Sequence, residues 1–376
     1  MELRRITTQG SWIPEVDGLR FVAIAATLLV HVLDETFNRG GLKVTDTVQS
    51  TIYYLTESGG RGVLLFFAIS GFILAQPFLR QHLQGGKPVS IAGYFKRRLT
   101  RLEPPYILSL LIYAAAMAAY KHPLSTLIAP LLAHFFYVHN LFVGMEPVNF
   151  VTWSLEVEVQ FYILAPVLGL LYAIRSTVTR RGLMIVLIAA SAVVKAMTHG
   201  VVQESLPGQL QFFMVGFLLA DLRATRTESS TNWWWDAVSI PVWVTLFAMP
   251  KEVAPYITAP LILLACLATF NGPATRQFFR TEWIAITGGM CYSFYLMHML
   301  VINVAFKLTR QLIFPDYLAV TYVIQAVLLL PPITVVSTLY YAWVERPCMD
   351  PKWPNRLVAH LRQRANGRKA AVVAPR

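Results

Sequence analysis

The chain has 376 residues, of which 56% are hydrophobic and only 14% are charged, and its formal net charge is +12. Soluble domains carry about 25% charged residues, so this composition excludes an ordinary water-soluble protein. The apolar residues come in runs, and a bilayer core takes roughly 20 of them per helix. We therefore predict an all-α, polytopic membrane protein with about ten transmembrane helices and no second globular domain.

Ten apolar stretches are predicted to cross the bilayer. In chain order they are Leu19–Leu33, Val63–Phe78, Glu103–Tyr120, Trp153–Ile174, Leu183–Met197, Gly208–Leu222, Trp233–Met249, Ala254–Phe270, Ile284–Phe306 and Leu318–Val344. Of the 32 Lys and Arg residues, 23 fall on one side of these spans and seven on the other. Basic loops face the cytoplasm, so both termini are predicted to be cytoplasmic. Because the basic residues lie in loops and in the tail, they do not predict nucleic-acid binding.

One further apolar segment, Leu127–Val143, contains His134 and His139. We predict that it is a re-entrant or outward-facing helix, because polar groups at membrane depth are tolerated where they line a cavity. The alternative is an eleventh crossing, which would place the basic cluster Arg175–Arg181 on the outer side.

In the first predicted span, Arg20 and His31 are eleven positions apart. Eleven residues turn a helix by roughly 1100°, about 20° past three full turns, so both side chains project from one face about 16 Å apart. Ionisable residues inside a span are costly, and they point to a functional site. The structural alternative is an arginine that reaches the membrane surface and a histidine in a helix contact.

Four cations, Lys96, Arg97, Arg98 and Arg101, precede the third predicted span. This pattern is typical of a cytoplasmic anchor or of contact with anionic lipid. It is equally typical of a site for a phosphorylated ligand, because arginine binds phosphate through two hydrogen bonds. The following Pro104–Pro105 pair is predicted to break or reorient the helix.

The fourth predicted span begins with Trp153–Tyr162, which contains two acids. Ser154 and Glu156 are explained by capping and by the helix dipole. Glu158 lies deeper and on nearly the opposite face, so at least one carboxylate must point inward. At the depth of His31, Glu158 would orient a general base.

Two more spans carry polar residues. Ser293, Tyr295 and His298 share the ninth predicted span, where a polar helix–helix seam explains them as well as catalysis does. Ser70, in the second span, is more typical of a small-residue packing site than of a nucleophile. The three cysteines are scattered, so we expect neither a disulfide framework nor a metal site.

These motifs follow one another in a fixed order along most of the chain. They are Arg20-x10-His31 after Val16–Leu19, Phe66–Phe72, Arg97-Arg98-x-x-Arg101 with Pro104–Pro105, Trp153–Tyr162, Tyr292–His298 and Val344–Pro347. The set resembles the acyltransferase-3 family of bacterial membrane acyltransferases, from about Ile13 to Pro347. The resemblance implies a membrane domain over residues 1–347, without the soluble esterase-like domain of some relatives. The basic tail, 348–376, is predicted to be disordered.

The resemblance also implies an O-acyltransferase of the bacterial inner membrane. Such an enzyme moves an acyl group, often acetyl, from cytoplasmic acyl-CoA to a hydroxyl, commonly on a carbohydrate or glycolipid. By position, Arg20 and His31 correspond to the essential Arg–His pair of the family. Arg97, Arg98 and Arg101 correspond to its basic donor-binding motif, and Glu158 corresponds to its acid. The other candidate site residues are His298, Tyr295, Ser293, Ser70 and Trp153.

Several alternatives stay open at this point. A glycolipid transporter or flippase would use the same intramembrane charges as a substrate path. An acyltransferase could also act on a small-molecule acceptor such as a macrolide. Trp153 fits either stacking on a sugar ring or an interfacial aromatic belt.

Overall fold

The computed structural model describes residues 3–6, 12–42, 44, 46–120, 122–142, 145–225, 231–350 and 353–354. Most of the predicted basic tail lies outside these residues. The described part of the chain is helical and contains no strand, which confirms the predicted fold class. Its α-helices are α1 (Pro14–Gly40), α2 (Thr47–Glu57), α3 (Arg61–Leu83), α4 (Ile91–Ala119), α5 (Leu124–Phe135), α6 (Trp153–Leu168), α7 (Thr177–Met197), α8 (Val201–Glu204), α9 (Leu206–Ala224), α10 (Trp234–Ala248), α11 (Ala254–Asn271), α12 (Pro273–Arg280), α13 (Glu282–Gly289), α14 (Cys291–Thr309), α15 (Leu318–Tyr340) and α16 (Arg346–Cys348).

Nine helical stretches of the described chain are long and apolar enough to cross a membrane. They correspond to nine of the ten predicted spans and are Pro14–Gly40, Gln49–Leu83, Ile91–Ala119, Phe150–Ala173, Thr177–Met197, Val201–Ala224, Ala254–Asn271, Cys291–Leu312 and Leu318–Cys348. The chain is therefore a multi-pass membrane protein.

The remaining predicted span is α10, which has only 15 residues, about 22 Å of helix. Just before it begins, the Asn232 amide donates to the Asn271 carbonyl at the end of α11 (2.9 Å). Just after it ends, the Met249 carbonyl accepts from Arg61 Nη2 at the start of α3 (2.7 Å). α10 therefore runs antiparallel to α11 from one side of the helix layer to the other. Together with the nine longer stretches, it makes ten helices of the described chain that cross this layer.

We call the end of the molecule at which α1 begins the proximal end, and the end at which α1 finishes the distal end. Because ten helices run between them, the first and last described segments both lie at the proximal end. There, Arg346 Nε donates to the carbonyl of Arg4 (3.4 Å).

The segment between α4 and α6 does not cross the helix layer. α5 has 12 residues, about 18 Å, whereas a hydrocarbon core is about 30 Å thick. It starts at the distal end, and its last turn reaches the middle of α4, where the Tyr106 hydroxyl donates to the His134 carbonyl (3.1 Å). The backbone then turns at Tyr137, which has a left-handed φ of 56°. This geometry agrees with a re-entrant segment and not with an eleventh crossing; Val143 lies outside the described residues.

Pro104–Pro105 was predicted to break or reorient the helix, and the break was wrong, because α4 continues through both prolines. Pro104 has no N–H to donate to the carbonyl four residues earlier, that of Thr100. That carbonyl accepts instead from the indole N–H of Trp353 (2.9 Å). A proline inside a membrane helix is tolerated when a neighbouring group satisfies the freed carbonyl in this way.

Glycines allow the closest helix contacts. A Cβ atom at Gly71 in α3 would overlap the carbonyl of Phe213 in α9, and one at Gly216 in α9 would overlap the carbonyl of Ala68. The small-residue packing expected around Ser70 is therefore present. A Cβ at Gly288 would likewise overlap the Asp17 carbonyl, so α13 holds the start of α1 at close range.

Candidate active site

A buried carboxylate organises the proximal end of α1. Asp17 Oδ1 accepts hydrogen bonds from Arg20 Nη1 (2.6 Å) and Arg5 Nη1 (3.1 Å). Its Oδ2 accepts from Trp12 Nε1 (2.8 Å). Only 3% of the Asp17 side chain is exposed, against 12% for Arg5 and 13% for Arg20. Asp17 therefore fixes the orientation of both guanidinium groups and neutralises one of them.

The predicted basic motif lies in the first part of α4. The Arg98 guanidinium lies over the rings of Tyr94 and Tyr162, 5.9 Å and 5.4 Å from their centroids, which is cation–π geometry. Arg101 Nε is buried and has no hydrogen-bond partner among the described residues. Arginines held by aromatic rings, or with a nitrogen left unpaired, are ready to bind an anion.

The arginines face two adjoining cavities, of about 120 Å³ and 150 Å³, that share Arg5, Arg98 and Arg101 as lining residues. We call them together the proximal cavity. Its charged lining comprises six arginines and three acids, namely Arg5, Arg20, Arg80, Arg97, Arg98, Arg101, Asp17, Glu158 and Glu345. Burial, together with the nearby charges of Arg101 and Arg20, lowers the pKa of Arg5. The excess of cations makes the cavity suited to an anionic ligand.

The other two acids of the proximal cavity are held by hydroxyl groups. Glu158 Oε1 accepts from Ser70 Oγ (2.5 Å) and from the Tyr162 hydroxyl (2.6 Å). Glu345 Oε2 accepts from Ser293 Oγ (2.6 Å). The proposed pairing of Glu158 with His31 does not appear among the hydrogen bonds of the described residues, because Glu158 points into the cavity beside Ser70.

His31 lies deeper along α1, among rings. Its ring centroid is 5.3 Å from that of Phe150, edge to face, and 5.2 Å from that of His298. His298 Nδ1 contacts the Phe294 carbonyl (2.8 Å), so Nδ1 carries the proton and Nε2 has a lone pair. That Nε2 is buried and has no hydrogen-bond partner among the described residues.

A third cavity, of about 350 Å³, opens at the distal end. We call it the distal cavity. It is lined by the ends of α1, α4 and α14 and by the loop before α6, including Phe150. The proximal cavity reaches Thr27, one helical turn before His31 on α1. Because Phe150 also packs on His31, the histidine lies between the two cavities.

Other candidate residues hold these walls together. The Tyr295 hydroxyl donates to the Val151 carbonyl (2.6 Å) and accepts from Ser154 Oγ (3.1 Å), which fastens α14 to the start of α6. Trp153 packs edge to face on Phe67, with ring centroids 6.2 Å apart. These contacts agree with a polar helix seam for Tyr295 and with a packing role for Trp153.

A second buried carboxylate anchors the re-entrant segment. Glu156 contacts His134 Nδ1 (2.8 Å) and accepts from the Asn140 amide (2.7 Å), and His134 Nε2 accepts from the Val148 amide (3.3 Å). Ligand atoms of His134, His139 and Glu156 lie within 4.8 Å of one another. The two imidazole rings are nearly parallel, at 9°, with centroids 4.2 Å apart. One cation cannot lie in both ring planes, so the cluster fits a loop anchor better than a metal site.

Three site residues were not assigned from the sequence. Arg5 lies outside the first predicted span, and Asp17 and Glu345 are members of the motifs Val16–Leu19 and Val344–Pro347 without an assigned role. For Asp17 a signal existed, since an acid three residues before Arg20 shares its helix face. Glu345 lies in a π-helical turn, Tyr341–Glu345, and such turns occur frequently at functional sites.

The fold and this site define a polytopic helical membrane protein whose helices enclose a charged cavity. Residues 13–342 match the model of the acyltransferase-3 family, which is described as an acyltransferase domain. The chain belongs to the acyltransferase-3 family, which confirms the resemblance noted from its motifs. No solved structure matches it.

Two curated relatives illustrate the similarity. A Staphylococcus aureus (strain COL) protein named "Putative O-acetyltransferase" is 24% identical over 329 residues, which cover 78% of this chain and 51% of the relative. The "Peptidoglycan O-acetyltransferase OatA" of Listeria monocytogenes is 25% identical over 174 residues, which cover 43% of this chain and 25% of that protein. The chain thus spans about half the length of the first relative and about a quarter of the second.

Proposed function

We propose that this protein is a membrane-bound O-acyltransferase that moves an acyl group, acetyl foremost, from acyl-CoA to a hydroxyl of a carbohydrate or glycoconjugate. The observation that carries the proposal is the position of His31 between an arginine-lined cavity and a second cavity at the opposite end. Family membership and the O-acetyltransferase names of the relatives support it.

The donor is acyl-CoA, bound at the proximal end. CoA carries three phosphate groups, and arginine is the side chain best suited to bind phosphate through two hydrogen bonds. Arg97, Arg98 and Arg101 line the proximal cavity where these phosphates would bind, and Arg20 lies further along α1 towards Thr27. We infer from the basic loops that the proximal end faces the cytoplasm, where acyl-CoA is available, and that the protein lies in the bacterial inner membrane.

His31 acts on the acyl group at the junction of the cavities. As a general base, it takes the proton of the acceptor hydroxyl while the hydroxyl oxygen bonds to the thioester carbonyl carbon. The carbon–sulfur bond then breaks, and the thiolate of CoA receives the proton from the imidazolium. Alternatively, the His31 imidazole bonds to the thioester carbonyl carbon, and the carbon–sulfur bond breaks to release the CoA thiolate. The hydroxyl oxygen then bonds to the acyl carbon, the nitrogen–carbon bond breaks, and the hydroxyl proton goes to the thiolate.

Two neighbours assist in different ways. Glu158 holds the Tyr162 hydroxyl, and the Tyr162 ring lies against Arg98, so Glu158 positions the donor site instead of orienting His31. His298 presents an unpaired lone pair next to His31, and it would stabilise the imidazolium that forms when His31 takes the proton.

The test uses the purified full chain in lipid nanodiscs with acetyl-CoA that carries a labelled acetyl group. Mass spectrometry should detect the labelled acetyl group on a glycan acceptor. His31→Ala should lower transfer by about 100-fold or more, the range for losing a general base, while acetyl-CoA binding persists. His199→Ala, at an exposed histidine that lines neither cavity, serves as the matched control.

Full transfer by His31→Ala would contradict the proposal. Movement of a glycolipid across the bilayer with no acetylated product would favour the transporter instead. Acid-quenched intact mass spectrometry separates the two roles of His31, because only the covalent route adds one acetyl group to the protein.

A further inference from the structure

The distal cavity carries features that the donor does not use. It has about 350 Å³ of free volume, and it lies at the opposite end of α1 from the arginine motif. Phe150 lines it and packs edge to face on His31 with ring centroids 5.3 Å apart. The Phe150 ring therefore lies between this cavity and His31, which is not itself a lining residue.

Asn149 supplies an unpaired hydrogen-bond donor at this cavity. The residue is only 2% exposed. Its Oδ1 accepts from the Val151 amide (3.4 Å), which identifies Nδ2 as the free amino group of the side chain. Nδ2 is buried and has no hydrogen-bond partner among the described residues. Leaving a buried donor unpaired is costly, and an oxygen atom of a bound ligand would satisfy it.

The charged side chains that line the distal cavity are all positive. Arg39 and Lys307 line it, and no acidic side chain does so within the described part of the chain. Arg39 Nε contacts Glu35 (2.6 Å), and Arg39 Nη2 donates to Asn303 (2.6 Å), so Arg39 is held in place and partly neutralised. The Lys307 ammonium lies 3.4 Å from the centroid of the Tyr120 ring. It makes no ion pair with a described acid, so its charge is available to a ligand.

Apart from the polar side chains of His122 and Asn303, the rest of the lining is apolar or aromatic, with Tyr113, Tyr120 and Phe150 among its residues. Aromatic faces pack against the C–H faces of sugar rings, while a few placed polar groups fix the orientation of a ligand. Aromatic rings, one buried amide donor and two cations together fit a sugar that carries a negative charge.

We propose that the distal cavity is the acceptor site, and that the acceptor is a glycan with a carboxylate or phosphate close to the hydroxyl that becomes acylated. This inference rests on the proposed acyltransferase function. Lys307 and Arg39 bind the acidic group, Asn149 donates to a sugar oxygen, and the hydroxyl that becomes acylated lies at Phe150, the lining residue whose ring contacts His31.

The test compares two soluble oligosaccharides of equal length and linkage, an oligoglucuronate and an oligoglucose, as acceptors for the full chain. Wild-type protein should transfer acetyl to the acidic one with the lower KM. Lys307→Gln should raise the KM for the acidic acceptor about tenfold and leave the KM for acetyl-CoA unchanged. Lys251→Gln is the matched control, because Lys251 is also an exposed lysine at the distal end but does not line the cavity.

Equal KM values for the two oligosaccharides, or equal effects of the two lysine variants, would overturn the proposal. Phosphate from lipid headgroups has the same chemistry, so the assay is run both in lipid-free detergent and in nanodiscs with anionic phospholipid. A Lys307 effect that appears only with anionic lipid would assign the cations to the lipid surface and overturn the acceptor site.

Direct binding of the two oligosaccharides without acetyl-CoA separates this inference from the proposed function. If acyl transfer is absent but Lys307→Gln still weakens binding of the acidic oligosaccharide, the proposed function fails and the site stands. If transfer proceeds but neither binding nor KM depends on Lys307, the site fails and the proposed function stands.

Discussion

The proximal and distal cavities lie against the same helix, α1, but their linings have different chemistry. Six arginines and three acids line the proximal cavity, and Asp17 fixes two of those arginines. The distal cavity has one arginine, one lysine, several aromatic rings and an unpaired buried amide. A cavity lined by several guanidinium groups is suited to binding phosphates, whereas a cavity lined by aromatic rings and only a few cations is suited to binding a sugar. If the proposed function holds, this contrast predicts that donor and acceptor are recognised separately and meet only at His31.

The largest effect is expected from removing the carboxylate that holds the proximal arginines. Asp17→Asn leaves Arg5 and Arg20 without their charged partner in a buried site. Breaking a buried ion pair on one side costs about 3–5 kcal/mol of stability, so thermal unfolding in detergent should shift strongly. Glu282→Gln removes the acid from an exposed pair with Arg4, at 68% and 58% exposure, and should have little effect. Equal shifts for the two variants would show that Asp17 has no special structural role.

The next effect tests the junction between the cavities. His298→Ala should lower kcat about 100-fold and leave both KM values unchanged, because His298 would act only once His31 has taken up a proton. His298→Gln keeps an acceptor atom near the position of Nε2 and should recover part of the rate. A purely structural histidine would instead change KM and thermal stability together, with no recovery by Gln.

A substitution in the basic motif tests the proximal cavity separately from the distal cavity. Arg101→Gln should raise the KM for acetyl-CoA about tenfold, since a hydrogen bond to a charged group contributes about 1.5–3 kcal/mol. The acceptor KM should not change. Lys96→Gln, at an exposed neighbour that lines neither part of the proximal cavity, should leave both constants as they are. If both KM values rise in Arg101→Gln, the two cavities are not independent.

The smallest effect is expected at the anchor of the re-entrant segment. Glu156→Gln replaces a charge-assisted contact with His134 by a neutral one of about half the strength. The loop that carries Asn149 and Phe150 should then loosen, raising the acceptor KM about threefold with no change for acetyl-CoA. Hydrogen exchange of residues 145–152 measures the loosening. Unchanged exchange and an unchanged acceptor KM would exclude this anchoring role.

Patterns along the chain predicted the bundle. Nine predicted spans match long apolar helices, and the tenth matches the short helix α10. The break at Pro104–Pro105 failed because the partner of the freed Thr100 carbonyl is Trp353, which is 253 residues away in the chain. Local rules for proline contain no information about so distant a donor.

The site was predictable only in part. Arg20 and His31 share one continuous helix, so their spacing alone placed them on one face. The contact of Glu158 with Ser70 could not be found in this way, because Ser70 is 88 residues away and the choice between it and His31 depends on how the helices pack. The roles predicted for His31, Glu158 and the arginines stay predictions.

The sequence by itself determined that this protein is a helical membrane protein with about ten spans. Hydropathy and the positions of charged residues are properties of single helices, since each helix must satisfy its own backbone hydrogen bonds in lipid. Only the tertiary structure decided that Arg5 joins Asp17 and Arg20, that Glu158 faces the proximal cavity, and that Phe150 and His298 surround His31. Most of those contacts join residues from separate segments of the chain, and helix packing fixes them through side-chain fit that no local pattern records.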